Sequence, residues 1–328
     1  MKAAPEPAFV AAAVQAAPMY LDLAAGVAKA EALIAQAAAG GARLIGFPEL
    51  WLPGYPWWIW LGSPTWGMKF MSRYLSNALH RDSPEMRTLC SAARRHRIHV
   101  VLGYAERDGG SLYIAQTMID DTGSILAHRR KLKPARVERS IFGQGAGADL
   151  GVVDCALGRL GALSCGEHFQ PLLKAAMYSQ QEQLHVAAWP AFSLLRGRSY
   201  LNGPDAATVA SQMYAIEGQC FVLCATSVND RATLDIVCET DEHRSLMTVA
   251  GLDAAGGRSM IFGPDGAPLA DYLPEEQEGL ILAEIDMSAL HLAKTAGDAF
   301  GHWSRPDVVR LMFNRQPAPN VVSVEDQS

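Results

Sequence analysis

The chain has 328 residues, of which 49% are hydrophobic, and its formal net charge is −6 at pH 7. A chain of this length can bury a full core, whereas its negative charge argues against a nucleic-acid-binding protein, which needs a basic face. It contains no run of roughly 18 or more apolar residues, so no membrane-spanning helix is predicted. Neither nucleic acid nor a membrane is therefore an expected partner.

Strand-like apolar runs alternate with helical patterns along the first half of the chain, which indicates an α/β architecture. The helix at 83–96 has a plausible cap at Ser83, followed by Pro84 in the first turn. A turn at 121–123 joins two strands into a hairpin. In chain order we predict a strand at 9–15, a helix at 23–39, a strand at 43–47, a helix at 83–96, a strand at 99–104 and hairpin strands at 112–120 and 125–129.

The same alternation continues through the second half. No linker or repeat interrupts it, so one domain over residues 1–317 is the simplest division, with a flexible tail at 318–328. The predicted elements are strands at 151–154 and 160–164, a helix at 171–180 within a helix-like segment at 169–181, a strand at 185–188, a helix at 204–217, and strands at 221–226, 258–262 and 280–285.

The six cysteines include no C-x-x-C pair, which argues against a zinc or iron–sulfur centre. So few cysteines in a long chain, without a recognisable secretion signal, predict reduced thiols and a cytoplasmic protein. Cys165 differs from the others because it ends an apolar strand and precedes Gly166 and a helix-like segment. A thiol on a sharp turn near a helix N-terminus is expected to favour the thiolate form.

Two other strands are followed by groups capable of chemistry. Glu49 follows the strand at 43–47, and a carboxylate placed there needs a partner or a task. Lys131 follows the hairpin, with Glu138 seven residues later. Ligands bind at the carboxyl ends of parallel strands, so these groups could act together there. Glu49 could accept the thiol proton and pass it on, and Lys131 could stabilise the anion or tetrahedral species that forms after attack.

In their order and spacing, these residues resemble the nitrilase superfamily, and within it the nitrilase branch that also contains cyanide-degrading enzymes. The resemblance extends from Val10 to about Pro317. The matching segments are Phe47-Pro48-Glu49-Leu50 with Pro53-Gly54-Tyr55-Pro56, Arg130-Lys131-Leu132-Lys133-Pro134 with Glu138-Arg139, Cys165-Gly166-Glu167-His168 with Gln170-Pro171, His185-Val186-Ala187-Ala188-Trp189-Pro190, and residues 301–308.

The resemblance implies a four-layer α-β-β-α sandwich and a role for each matching residue. Cys165 would be the nucleophile, Glu49 the general base, Lys131 the charge stabiliser and Glu138 a second glutamate that positions Lys131 and the hydrolytic water. It also implies a homo-oligomer, built from a dimer that pairs through the helix after Cys165 and capable of extending into a spiral or filament. No metal or cofactor is implied.

One departure from the family pattern concerns the residue after the nucleophile. This branch usually has Trp there, and this chain has Gly166, which should enlarge the substrate pocket. The aromatic cluster after Glu49 could line an aryl-sized pocket or form an interface or core. We expect the substrate to contact Gly166, Trp189, Tyr55 and His168.

The resulting prediction is a nitrilase that converts an aryl or arylaliphatic nitrile to a carboxylic acid and ammonia through a thioimidate and a thioester, with amide as a by-product. Four alternatives remain open. The chain could be an aliphatic amidase or carbamoylase of the same superfamily, a cyanide hydratase or dihydratase, a scaffold protein that forms filaments without catalysis, or a thiol redox protein.

Overall fold

The structure, a computed structural model, describes residues 8–192, 194, 199–248 and 255–318. The predicted tail lies outside the described residues, apart from Ala318. The strands are β1 (Ala8–Ala16), β2 (Ala42–Gly46), β3 (His99–Asp108), β4 (Ser111–Ile119), β5 (Ile125–Arg130), β6 (Phe142–Gly143), β7 (Val153–Cys155), β8 (Gly158–Ser164), β9 (Leu184–Trp189), β10 (Phe221–Ser227), β11 (Met260–Phe262) and β12 (Gly279–Asp286).

Helices lie in five of the eleven connections between successive described strands, and a last helix follows β12. They are α1 (Leu23–Ala39), α2 (Trp58–Leu61), α3 (Pro64–Asn77), α4 (Pro84–His96), α5 (Pro171–Tyr178), α6 (Pro204–Gly218), α7 (Arg231–Val237), α8 (Asp241–Met247) and α9 (Ala289–Gly297). Within the described ranges, no helix is both long enough and apolar enough to cross a membrane.

The strands pair in the order β5-β4-β3-β2-β1-β10-β9-β8-β7, with β6 on β4, β12 on β1 and β11 on β10. The two halves of this order meet between β1 and β10, which pair only at Gln15–Thr226 and Ala16–Ser227. A junction this short allows the two halves to turn away from a common plane and face each other.

The buried side chains show that the halves do face each other. On β1, Ala12 and Val14 pack with α1 and α4, whereas Phe9 and Ala11 point into a different cluster. That second cluster combines β1–β4 with β8–β10, including Val186, and so lies between the two halves. A third cluster covers the other half with α5 and α6. The layers run helix, sheet, sheet, helix, which confirms the predicted α-β-β-α sandwich.

Local sequence signals predicted most elements to within a few residues. Helix α1 has the predicted bounds, and the Ser83 side chain caps α4 by accepting a hydrogen bond from the Met86 N–H. Strands β4 and β5 form the predicted hairpin. The helix predicted at 171–180 is present as α5, although the helix-like segment at 169–181 is shorter than predicted, because a 3₁₀ turn at Cys165–Phe169 precedes it. Helices α2 and α3 were not predicted at all.

The strand directions bring the three reactive segments to one edge of the sandwich. β2 and β8 are parallel through β1, β10 and β9, and β5 has the same direction through β3 and β4. Glu49 lies three residues after β2, while Lys131 and Cys165 directly follow β5 and β8. Because all three strands end on the same side, the three side chains can converge.

Gly103 in β3 allows the segment that carries Glu49 to cross close to the strand. A Cβ added at Gly103 would lie 2.0 Å from the Pro48 carbonyl oxygen and 3.2 Å from the Glu49 Cα. The Trp51 N–H donates to the Gly103 carbonyl at 3.0 Å, which holds the crossing in place. A larger residue at this position must push the Glu49 backbone outward.

We therefore expect Gly103→Ala to lower the free energy of unfolding by about 1–3 kcal/mol, the usual cost of overpacking a rigid site. Urea denaturation measures the loss. The matched control is Gly110→Ala, since an added Cβ at Gly110 meets no atom within 4 Å in the described part of the chain. Equal denaturation midpoints for the two variants would contradict the role assigned to Gly103.

Candidate active site

Cys165 occupies the sharp turn that the sequence predicts. It directly follows β8, begins the 3₁₀ turn Cys165–Phe169, and has φ +48°, an uncommon conformation for a residue with a side chain. Glu167 braces this turn by accepting a hydrogen bond from the Ser164 N–H at 2.8 Å. Arg129 fixes Glu167 in turn, with Nη2 at 2.8 Å from both carboxylate oxygens. The nucleophile candidate is thus held on a strained but well-supported turn.

The surroundings of Cys165 do not favour the thiolate that the turn-and-helix pattern predicts. Burial raises the pKa of the Cys165 thiol well above its ordinary value, the negative charge of Glu49 raises it further, and Lys131 only partly opposes them. The helix α5 that was expected to favour the anion begins only at Pro171. The sulfur is therefore protonated at rest, and its proton needs an acceptor when the sulfur attacks.

Lys131 is a buried ammonium group held between two carboxylates. Its Nζ donates to Glu49 Oε1 at 2.8 Å and to Glu138 Oε2 at 3.0 Å, and only 1% of the side chain is exposed. Burial alone would lower the pKa of Lys131, but Glu138 and Glu49 outweigh burial and raise it well above its ordinary value. Lys131 is consequently a permanent positive charge in a water-poor site.

Glu49 has the properties of a general base. Burial and the nearby Glu138 raise its pKa to about 8, although Lys131 acts in the opposite direction. Its Oε1 bonds Lys131, whereas its buried Oε2 has no hydrogen-bond partner among the described residues. A carboxylate with a pKa near neutrality and one free oxygen can accept a proton and later return it.

Glu138 is fixed by three separate donors; the resemblance implied the contact with Lys131, but nothing in the sequence indicated the other two. Tyr55 Oη donates to Glu138 Oε1 at 2.9 Å, the Ala135 N–H donates to Oε2 at 2.6 Å, and Lys131 donates to the same oxygen. Trp60 Nε1 in turn donates to Tyr55 Oη at 3.2 Å. Tyr55 thus supports Glu138 in addition to lining the pocket described next.

A pocket of about 120 Å³ opens onto Cys165, and aromatic side chains form much of its wall. At Gly166 an added Cβ would meet its nearest neighbours, in Ala135 and Phe169, only at 4.0 Å, so this position leaves open space. Of the predicted aromatic cluster, Trp51 and Trp58 are core residues. The lining residues are Tyr55, Trp57, Trp60, Ala135, Arg136, Glu138, Cys165, Gly166, Phe169, Pro190, Phe192, Leu194, Leu201 and Asn202.

The expectation that Trp189 and His168 contact the substrate is corrected by their placement. Neither lines the pocket, because both point inward between the sheet and α6. Trp189 Nε1 donates to Ser211 Oγ at 2.9 Å, and His168 is hydrogen-bonded to the backbone carbonyl of Cys165. The pocket wall comes instead from Pro190, which follows Trp189.

The pairing of Lys131 with two buried carboxylates leads to a prediction about the stability of the folded protein. Replacing Lys131 with Met leaves two buried carboxylates without their shared cation, which should cost about 3–5 kcal/mol of unfolding free energy. Losing the lysine also raises the pKa of Glu49 above its present value of about 8. A raised carboxyl pKa stabilises the folded state at low pH and loses that contribution as pH rises.

We thus expect the Lys131→Met deficit to be smallest near pH 5 and largest above pH 8, as measured by urea denaturation across that range. The matched control is Lys133→Met, because Lys133 is exposed and bonds only Gln144. A deficit that does not depend on pH would show that lost packing, and not unpaired charge, is the cause.

The described residues contain no group of three or more His, Cys, Asp or Glu side chains arranged to hold a metal ion. All six cysteines are free thiols. The reactive groups that lie together are therefore the Cys165 thiol, the Lys131 ammonium group and the carboxylates of Glu49 and Glu138, beside the aromatic pocket.

Comparison with known proteins places the chain among relatives of high identity. It is 52% identical over 315 residues to a nitrilase of Pseudomonas syringae, which covers 96% of this chain and 92% of that one. It is 50% identical to an aliphatic nitrilase of Rhodococcus rhodochrous, with 94% and 83% covered. It is 48% identical to an arylacetone-specific nitrilase of Alcaligenes faecalis, with 95% and 87% covered.

Solved structures share the fold at lower identity. The NitFhit protein of Caenorhabditis elegans superposes with a TM-score of 0.72 at 21% identity, over 97% of this chain and 70% of that one. An amidase from Nesterenkonia gives a TM-score of 0.63 at 19% identity, over 86% and 92%. The carbon-nitrogen hydrolase family model matches residues 10–295. The chain is a member of the carbon–nitrogen hydrolase family and belongs to its nitrilase branch.

Proposed function

We propose that this enzyme hydrolyses an organic nitrile to a carboxylic acid and ammonia, with Cys165 as nucleophile, Glu49 as general base, and Lys131 and Glu138 as supporting residues. The observation that carries the proposal is the buried Lys131, which bonds both glutamates beside the thiol at the base of an apolar pocket. Relatives that share about half of its residues are named nitrilases. Cys165, Glu49 and Lys131 each have a step to perform, and Glu138 holds Lys131 in place.

The first step joins the thiol to the nitrile carbon. Because burial keeps Cys165 protonated, Glu49 takes the thiol proton as the carbon–sulfur bond forms, and then returns it to the nitrile nitrogen. The product is a neutral thioimidate. Negative charge develops on the nitrogen during the attack, and the fixed ammonium of Lys131 stabilises it without reorganisation.

Two molecules of water complete the reaction. Glu49 deprotonates the first water, which adds to the thioimidate and gives a tetrahedral intermediate. Protonation of its nitrogen lets ammonia leave, and a thioester remains. The second water, activated by the same carboxylate, releases the carboxylic acid and restores the thiol. If the thiol leaves the tetrahedral intermediate before ammonia does, the product is the amide.

The pocket favours a substrate with an aryl or arylaliphatic group. The flat apolar surfaces in its wall come from Tyr55, Trp57, Trp60, Phe169 and Phe192. The names of the relatives include both an aliphatic and an arylacetone-specific nitrilase, so relationship alone does not choose between these classes. The aromatic lining is what supports the aryl assignment.

We also propose that the protein assembles into homo-oligomers through the outer face of α5 and α6. Four apolar side chains on these helices are exposed by 43–71% of their area: Leu172, Val209, Met213 and Ile216. Exposed apolar side chains on adjacent helices are typical of an interface between subunits. Such a face would place the interface on the helical layer outside the sheet half that carries Cys165.

Ammonia release tests the proposed activity. We expect wild-type protein to release ammonia from phenylacetonitrile, mandelonitrile or benzonitrile, and Cys165→Ala to release none while it remains folded by circular dichroism. Cys155→Ala is the matched control, since this cysteine is a free thiol in another part of the fold. Substantial turnover by Cys165→Ala would contradict the assignment of the nucleophile.

The same panel separates the alternatives. An aliphatic dinitrile, cyanide and the matching amides are assayed in parallel, with chromatography to detect amide products. Turnover of amides alone would identify an amidase, and turnover of cyanide alone would identify a cyanide hydratase or dihydratase. Absence of any product would leave a scaffold protein or a thiol redox protein as the remaining explanations.

The open space at Gly166 leads to a prediction about substrate size. We expect Gly166→Trp to lower kcat/KM for the α-branched 2-phenylpropionitrile at least tenfold more than for unbranched aliphatic nitriles, because the indole must enter the pocket. Gly166→Ala is the control, because a single Cβ fits at 4.0 Å from its nearest neighbours. Equal losses for branched and unbranched substrates would place the indole outside the substrate space.

A further inference from the structure

A chain of four buried side chains leads away from the nucleophile on the side opposite the pocket. His168 Nδ1 lies 2.9 Å from the Cys165 carbonyl oxygen, and its Nε2 lies 3.0 Å from Nε2 of His185. His185 Nδ1 lies 2.7 Å from Glu182 Oε1, and Tyr214 Oη donates to Glu182 Oε2 at 2.6 Å. No step of the proposed mechanism uses any of these side chains.

The direction of the first hydrogen bonds follows from their chemistry. A carbonyl oxygen can only accept, so His168 Nδ1 carries a proton and donates it to the Cys165 carbonyl. Burial lowers the pKa of His168 well below its ordinary value, so the ring is neutral and its Nε2 must accept. The proton between the two rings therefore belongs to His185, which donates to His168.

Neighbouring residues leave space for this chain of hydrogen-bonded side chains and fix the ring of His168. An added Cβ at Gly161 in β8 would lie 2.0 Å from Glu182 Oε1, so only glycine leaves space for that carboxylate. The ring of His168 stacks on Trp189 with centroids 5.0 Å apart and planes 28° apart. Packing and hydrogen bonds therefore restrict His168 to one orientation, with Nδ1 directed at the nucleophile turn.

The carbonyl that His168 holds belongs to the residue whose backbone is strained. Cys165 has φ +48°, and relaxation of that turn would move the sulfur away from Glu49. Glu167 restrains the turn on the N-terminal side of Cys165, through the Ser164 N–H. His168 restrains it on the C-terminal side, through the Cys165 carbonyl. The two restraints lie on either side of the Cα that carries the thiol.

We propose that His168 is a positioning residue for Cys165. His185, Glu182 and Tyr214 keep the ring of His168 in the orientation that donates to the Cys165 carbonyl. His168 acts through the backbone carbonyl of Cys165 and does not contact the substrate. This inference rests on the proposed role of Cys165 as the nucleophile. A misplacement of about 1 Å in a reacting group can cost on the order of 100-fold in rate.

Two amide substitutions at position 168 separate this role from a merely structural one. In Asn the side-chain amide can occupy the position of Nδ1 and still donate to Cys165, but it cannot reach His185. In Gln the amide extends to the position of Nε2, so the contact with His185 is kept and the hydrogen bond to the Cys165 carbonyl is lost. Both variants remove the imidazole and leave a polar, uncharged side chain of similar size.

We expect His168→Asn to retain kcat within about fivefold, and His168→Gln and His168→Ala to lose roughly 100-fold in kcat with KM changed less than about twofold. His168→Asn should nevertheless melt at a lower temperature than wild type, since it leaves His185 without its acceptor. Equal activity in the Asn and Gln variants, or retention in Gln and loss in Asn, would overturn the proposal.

A second readout does not depend on the nitrile substrate. Alkylation of Cys165 by iodoacetamide, followed by peptide mass spectrometry, reports the accessibility and geometry of the thiol relative to Glu49. We expect the alkylation rate at Cys165 to change in His168→Gln and to match wild type in His168→Asn, with the rate at Cys90 unchanged in both. Unchanged alkylation in all variants would overturn the proposal, whereas a wild-type protein inactive on every nitrile would overturn the proposed function instead.

Discussion

The candidate site depends on one buried cation. Lys131 neutralises part of the charge of Glu49 and Glu138, and the repulsion between these carboxylates would otherwise separate the segments that carry them. The three residues come from different parts of the chain, after β2, after β5 and within a 3₁₀ turn. A single ammonium group therefore holds together the edge of the sandwich at which these parts meet.

Around this ion triplet, the backbone is shaped to bring the groups close. Gly103 lets the Glu49 segment cross β3, and Gly161 leaves space for the Glu182 carboxylate behind the nucleophile. Cys165 itself adopts a left-handed conformation that two side chains of its own turn restrain. Two close approaches of the backbone and one left-handed residue thus lie around the thiol.

Local signals in the sequence predicted the alternation of strands and helices and the convergence of Glu49, Lys131 and Cys165 at strand ends, whereas the four layers were implied by the resemblance to the nitrilase superfamily. Helix α3 was not predicted, although Ser63 before Pro64 and the buried spacing of Gly67, Phe70 and Tyr74 are a recognisable cap and helical face.

Other features depend on contacts between distant residues and could not be inferred locally. The protonation state of Cys165 reflects burial and the Glu49 charge, neither of which a turn-and-helix pattern reports. The placement of His168 behind the nucleophile depends on His185, which is 17 positions away on another strand. The direction of a side chain at a strand end is set by such partners. The sequence could therefore identify His168 as a candidate residue of the site, but it could not show which way its ring points.

The protonated state of Cys165 also bears on how long the enzyme would survive in the presence of oxidants. Peroxides convert thiolates to sulfenic and then sulfinic acids, whereas a neutral thiol reacts slowly. Burial and the charge of Glu49 raise the pKa of the Cys165 thiol, so the surroundings of the sulfur disfavour the form that oxidants attack. The carboxylate that we propose as the general base would thereby also slow irreversible damage to the sulfur.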